Sequence, residues 1–195
     1  MYSKATFLDA KTSLAYRYGE TTVPTSSDTN RNHWINKGVE YMSQFLYKKK
    51  ATLAVVNGVG DLPDDFRFVS DRVIYDADRN PYHQISEDDQ IKQDSGYFFW
   101  ISGNPVDGYV LNTYTDATFT FFYTFWPSPM TLNTDVCIIP DIEAVSAYAY
   151  AYLRKSQTDP LGDADKNLQE AENRLKDMIH AQNQNENSLT FSSIA

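Results

Sequence analysis

The sequence predicts an α+β protein: a helical bundle, made of two N-terminal and two C-terminal helices, with a central antiparallel β-rich region. Three observations predict it. Apolar residues recur at helical spacing near both ends, as in Trp34/Ile35, Val39, Met42 and Phe45/Leu46, and again in Leu168, Ala171, Leu175 and Met178. Between those stretches the period changes to two, most cleanly in Thr118–Trp126. Short β-like runs there are separated by turn signals such as Asn57-Gly58 and Leu62-Pro63-Asp64-Asp65.

The first helix is expected over 5–18, with Phe7, Leu8, Leu14 and Ala15 roughly on one side and Gly19 as its stop. The second is expected over 26–50, with Ser26, Ser27 or Asp28 as N-cap and Lys48-Lys49-Lys50 closing it, because positive charge suits a helix C-terminus. A β-rich insertion follows over 51–128. Its runs are Thr52–Val56, Phe66–Tyr75, Tyr82–Ile85, Tyr97–Ser102, Tyr109–Tyr114 and Thr118–Trp126. In the last run Phe119, Phe121, Tyr123 and Phe125 share one side, Thr118, Thr120 and Thr124 the other, with Phe122 and Trp126 interrupting the polar face.

The third helix, 141–155, starts after Pro140 and is rich in alanine. Tyr148, Tyr150 and Tyr152 are spaced two apart and so spread around it, which demands close neighbours on more than one side; these tyrosines are the expected subunit-packing residues. The fourth helix is expected over 163–181, capped by Asp163, with Glu170–Arg174 and Glu172–Lys176 as i,i+4 pairs on its solvated side. Residues 1–182 thus read as a single domain and 183–195 as an extended tail. Its polar stretch 182–188 cannot build a core, yet Leu189, Phe191 and Ile194 return at the tip. In extended backbone Leu189 and Phe191 share a side, which suits a docking peptide.

Composition narrows the function. The chain has 195 residues, 42% of them hydrophobic and 14% aromatic, enough to bury a real core. No run reaches the roughly 20 apolar residues of a membrane span, and the first residues lack a signal peptide's apolar stretch, so the expectation is a protein made in the cytoplasm with no membrane partner. Net charge is −9, and residues 51–150 hold 15 acids against 4 bases. Such a middle argues against gripping nucleic acid, which takes cations aimed at phosphates. Cys137 is the single cysteine; it sits among apolar residues with no fixed cation beside it, so it reads as an inert buried thiol.

Chemistry-bearing constellations are weak. Asp76, Asp78, Asn80 and Glu87 match calcium-loop ligand types, but Pro81 occupies the position that needs glycine, so a β-hairpin turn is the expectation. His33, His83 and His180 have no zinc-ligand spacing. Asp64-Asp65 and Glu87-Asp88-Asp89 offer adjacent carboxylates of the kind usually found in solvated turns. No nucleophile elbow or phosphate loop is present. Phe98, Phe99, Trp100, Phe121, Phe122, Tyr123, Phe125 and Trp126 would serve either as a sheet core with subunit contacts or as a stacking platform for sugars or bases. The expectation is no catalytic residue, no cofactor and no metal.

The order of elements carries a resemblance. Trp34-Ile35-Asn36-Lys37-Gly38 on a helix leads to Asp61-Leu62-Pro63-Asp64-Asp65-Phe66, then to Tyr97-Phe98-Phe99-Trp100-Ile101-Ser102-Gly103-Asn104. An aromatic strand ends in Phe125-Trp126-Pro127-Ser128-Pro129-Met130-Thr131-Leu132, and an Ala/Tyr helix, an Asp-Pro loop and a charged helix follow. Over roughly residues 5–182 this resembles the head–tail connector, or adaptor, proteins of tailed bacteriophages. The acidic stretch Glu87–Asp94 departs from it. The resemblance implies a structural virion protein at the head–tail interface. It implies a ring, commonly of twelve copies, below the portal protein, with DNA passing through its lumen without specific binding. Neck or tail proteins dock below, and the C-terminal tail, with Leu189, Phe191 and Ile194, reaches the portal. The alternatives are another neck or tail-completion protein of the virion and a carbohydrate-binding module.

Overall fold

The computed structural model describes residues 4–21, 28–92, 96–157 and 162–191, with the backbone alone over 90–92 and 185–191. The chain divides into two compact units, Tyr47–Trp126 and the two flanking segments Met1–Leu46 and Pro127–Ala195. The β-rich insertion closes a hydrophobic core of its own.

The flanking segments form the helical unit: α1 (Phe7–Arg17), α2 (Thr29–Leu46), α3 (Ile142–Ser156) and α4 (Asp163–Phe191). Thr6 starts α1 through a capping box with Asp9, each side chain bonded to the other's backbone N–H. Asp141 caps α3 by accepting from Glu143 and Ala144 N–H. α3 packs against each of the other three helices. That is why Ala144, Val145, Ala147, Ala149 and Ala151 are all fully buried although they point in several directions. The segment before α1 pairs with the segment after the insertion: Thr6 bridges Val136, Phe7 N–H donates to Asp135 O at 2.8 Å and Cys137 N–H to Ala5 O at 2.9 Å.

Two helix ends differ from expectation. α2 stops at Leu46, and Lys49 and Lys50 belong to a strand instead of capping the helix. α4 runs to Phe191, so the backbone over 183–191 is helical where an extended tail was expected. The same-side argument for Leu189 and Phe191 needs extended backbone and lapses there; Ile194 lies outside the described residues. Beyond Leu175 no side chain of α4 described, through Gln184, is fully buried.

The second unit is one eight-stranded sheet: β1 (Lys49–Ala54), β2 (Val59–Asp61), β3 (Phe66–Val69), β4 (Val73–Tyr75), β5 (Pro81–Gln84), β6 (Phe98–Asn104), β7 (Gly108–Thr113) and β8 (Thr118–Phe125). The order is β1-β8-β4-β5-β6-β7-β2, with β3 also on β8. The sheet is mixed: β5 and β6 run parallel, His83 beside Phe98, which corrects the expected antiparallel arrangement. β3 and β4 share one edge of β8, separated by a one-turn 3₁₀ jog at Ser70–Arg72 in which Asp71 and Arg72 take positive φ. The two ends of the strand order, β1 and β2, are joined by a hairpin whose tip, Asn57 and Gly58, has φ of 54° and 77°, the geometry that favours Asn-Gly. Val56 bridges Val59 across it. The sheet is therefore nearly closed around Phe66, Ile74, Phe99, Leu111, Phe119 and Phe121, all at most 1% exposed.

Candidate functional site

The residues that carry the resemblance turn out to be fasteners. On α2, Trp34 stacks on Tyr152 with centroids 4.8 Å apart and planes at 16°. Asn36 clamps the segment after the sheet: its Nδ2 donates to Met130 O at 3.0 Å and its Oδ1 accepts from Met130 N–H at 2.8 Å. Gly38 lets α3 approach. A Cβ there would lie 3.3 Å from Tyr148 Cδ1 and from Val145 O. Further on, Asp135 Oδ2 accepts from Thr131 and Leu132 N–H, which sets the turn after Pro129 and holds the Asp135 carboxyl below its ordinary pKa.

Within the sheet unit the Leu62-Pro63-Asp64-Asp65-Phe66 turn works the same way. Phe66 N–H closes the turn on Pro63 O, and Asp65 O accepts from Trp126 N–H, both at 2.8 Å. Asp65 Oδ1 accepts from Tyr123 Oη at 3.0 Å, and Oδ2 pairs with Lys49 Nζ. One acidic side chain thus ties β1 to β8. Burial, then the Asp65 carboxylate, pushes the Tyr123 hydroxyl up to about 12.

A polar hub joins three helices. Arg17, at the end of α1, donates to Ser146 Oγ, Asn167 Oδ1, both Glu170 carboxylate oxygens, and Glu143 O and Oε2, at 2.8–3.3 Å. Arg174 joins Glu170 to Asp141, the α3 cap. The Arg17 bond holds the Glu170 carboxyl below its ordinary pKa. Nothing in the sequence pattern marked Arg17, whose partners lie more than a hundred residues away in the chain, and Asn36 entered only through the resemblance, without a partner to predict.

The expected site residues land as follows. Tyr148 and Tyr150 are buried within the helical unit, Tyr148 stacked on Tyr41 at 5.2 Å and Tyr150 against Tyr18 at 4.8 Å with Arg154 Nε donating to its Oη at 3.0 Å. Their surface is spent on the chain's own helices. Tyr152 is half-buried, between Trp34 and Tyr148. Leu189 and Phe191 are in α4. The stacking-platform reading loses Phe99, Phe121 and Tyr123 to the sheet core, while Phe122 stays exposed and Trp126 partly so, with the Arg67 guanidinium 4.1 Å over its ring.

Asp76 Oδ1 accepts from Asp78 and Asn80 N–H and its Oδ2 from Asn80 Nδ2, so the carboxylate organises the β4–β5 hairpin turn. Among the described residues, no group of three or more His, Cys, Asp or Glu is placed to hold a metal ion. His33, His83 and His180 are not brought together as such a group. Cys137 is buried, and burial raises its thiol. Among the described residues no helix is long and apolar enough to cross a membrane.

Each of the two units is held by its own aromatic and polar fasteners, and several acidic side chains close turns or cap helices. A family model, SU10 adaptor protein, matches residues 5–192, and the chain belongs to that family of phage head–tail adaptor proteins. The family is one of structural virion components. No curated protein sequence matches the chain.

Proposed function

We propose that this chain is the head–tail adaptor of a tailed-phage virion: copies form a ring, of about twelve, below the portal protein, extend the DNA channel and offer a platform to neck and tail proteins. The observation that carries this reading is the family match across nearly the whole chain. The charge supports it: at −9 the chain carries no surplus of cations to hold phosphates, so DNA slides past without being gripped. Tyr152, still half-exposed, remains to meet a neighbouring subunit where Tyr148 and Tyr150 do not. Helix α4 supports portal docking. Its polar stretch gains little from its own unit, and short helices without packing are marginal in water. Leu189, Phe191 and Ile194, the apolar residues that return near the chain's tip, dock on the portal, by strand addition or by filling an apolar groove.

The test images the purified chain with and without portal; the expected result is a ring on the portal. Deleting 187–195, or making Phe191→Ala, should leave circular dichroism near wild type yet abolish joining to portal-bearing heads. Normal joining by both variants removes the docking role, and a chain that never joins such heads removes the adaptor reading.

A further inference from the structure

The outward face of the sheet around β8 is unlike the rest of this acidic chain. Phe122, Tyr75 and Phe68 are 53%, 48% and 44% exposed. They are neighbours by register: Lys50 lies opposite Phe122, Tyr75 opposite Thr120, and Phe68 opposite Thr124, two residues either side of Phe122. Thr52 faces Thr120 with hydroxyls 3.4 Å apart. The outward positions of β1, β8 and β4 hold no carboxylate, although the chain carries 26 acids. Exposed aromatics, threonines and one central cation, with no carboxylate at these strand positions and Asp71 only at the margin beside Phe68, suit an interface better than a solvated sheet.

The chain carries a matching acidic element. After β5 a 3₁₀ turn over Glu87–Lys92 exposes Glu87 and Asp88. Asp89 is turned inward on Ser86, whose Oγ donates to Asp89 Oδ2 at 2.7 Å and accepts from Asp89 N–H at 3.2 Å. The turn is thereby fixed, with two carboxylates left outward.

We infer that the Phe68–Tyr75–Phe122 face docks a second copy of this chain, which presents Glu87 and Asp88 to Lys50. One patch lies on β1, β8 and β4 with Phe68 of β3, the other on the 3₁₀ turn after β5, so copies can join head-to-tail, the contact that yields a ring when its rotation closes. This deepens the ring reading above and rests on it only for closure. It also assigns a role to the acidic stretch that departs from the adaptor resemblance.

The test is cysteine cross-linking of the full chain carrying Thr52→Cys and Asp88→Cys together, which keeps Lys50 and Glu87, with a short bis-maleimide, both in concentrated solution and on portal-bearing heads. The expected product is a ladder of chain multiples in at least one setting. Adding Phe122→Ser, with circular dichroism unchanged, should cut it at least tenfold. Lys50→Glu should weaken self-association read by sedimentation, and Lys50→Glu combined with Glu87→Lys and Asp88→Lys should restore it. No ladder in either setting overturns the inference. A cross-linked dimer from Thr52→Cys alone also overturns it, because the face then meets itself. Head attachment is scored separately: attachment without a ladder refutes this interface and leaves the adaptor reading standing.

Discussion

Replacing Asp65 with alanine should loosen the sheet unit without touching its hydrophobic core. The wild-type side chain takes the Tyr123 hydroxyl at 3.0 Å and the Lys49 ammonium. Tyr123 is 5% exposed, so its hydroxyl loses its acceptor in a place water reaches poorly. A hydrogen bond to a charged acceptor contributes about 1.5–3 kcal/mol. Lys49 is 47% exposed, so its ion pair adds roughly 0–1 kcal/mol. Asp65→Ala should therefore cost about 2–3 kcal/mol, and Tyr123→Phe about 1–1.5 kcal/mol. Because the two share one bond, their cycle should show coupling of roughly 1 kcal/mol. Urea unfolding followed by tryptophan fluorescence reads this, since Trp100 and Trp126 both belong to the sheet unit. The Tyr123 hydroxyl titrates higher when folded than when unfolded, so its contribution is complete below about 10 and is lost as pH rises toward about 12. Additive effects, or an Asp65→Ala cost below about 0.5 kcal/mol, would refute the latch.

Two further predictions concern the helical unit. Arg17→Met keeps the aliphatic stem but strips the hub from Glu143 and Glu170, which are 46% and 38% exposed and so partly rescued by water; the expected cost is about 2–3 kcal/mol by denaturant titration. Glu170 has a lowered folded pKa, chiefly through its Arg17 bond. Wild-type stability should therefore fall as pH drops from about 4.5 through that lower value, and the acid limb should be shallower in Arg17→Met. Gly38→Val should raise helix propensity yet destabilise the protein by about 1–3 kcal/mol, since side-chain atoms there meet Val145 and Tyr148; a stabilised variant would show that α2 and α3 have room to part.

Local signals read well where chemistry and period agree. Asn57-Gly58 closes a hairpin, the alternation in β8 buries Phe119, Phe121 and Tyr123, and Asp141 and Asp163 stand at helix starts. The α3 pattern also demanded neighbours on several sides, and it has them. Composition could not say whether these neighbours belong to the same chain or to another; Tyr148 and Tyr150 are buried against the chain's own helices. Lys48-Lys49-Lys50 fit a helix end as well as an edge strand, because lysine carries no period. The three residues of β2, Val-Gly-Asp, are too few to show one. The parallel β5–β6 pair was illegible because pairing direction is a long-range fact. The reach of α4 was missed because amide-rich sequence lacks the apolar stripe from which a helix is read.

The chain crosses into the sheet at Tyr47 and back out at Trp126, and the strands just inside those crossings, β1 and β8, are hydrogen-bonded neighbours from Lys49 and Tyr123 onward. Adjacent strands run roughly 5 Å apart. To the helices the whole insertion is therefore a loop whose two stems touch, and lengthening such a loop costs little, about 0.6 kcal/mol per doubling. Such a joint lets sequence be gained, lost or exchanged between Leu46 and Pro127 while the helices keep their connectivity. It makes the sheet a replaceable cassette, free to track a changing neighbour at its own rate.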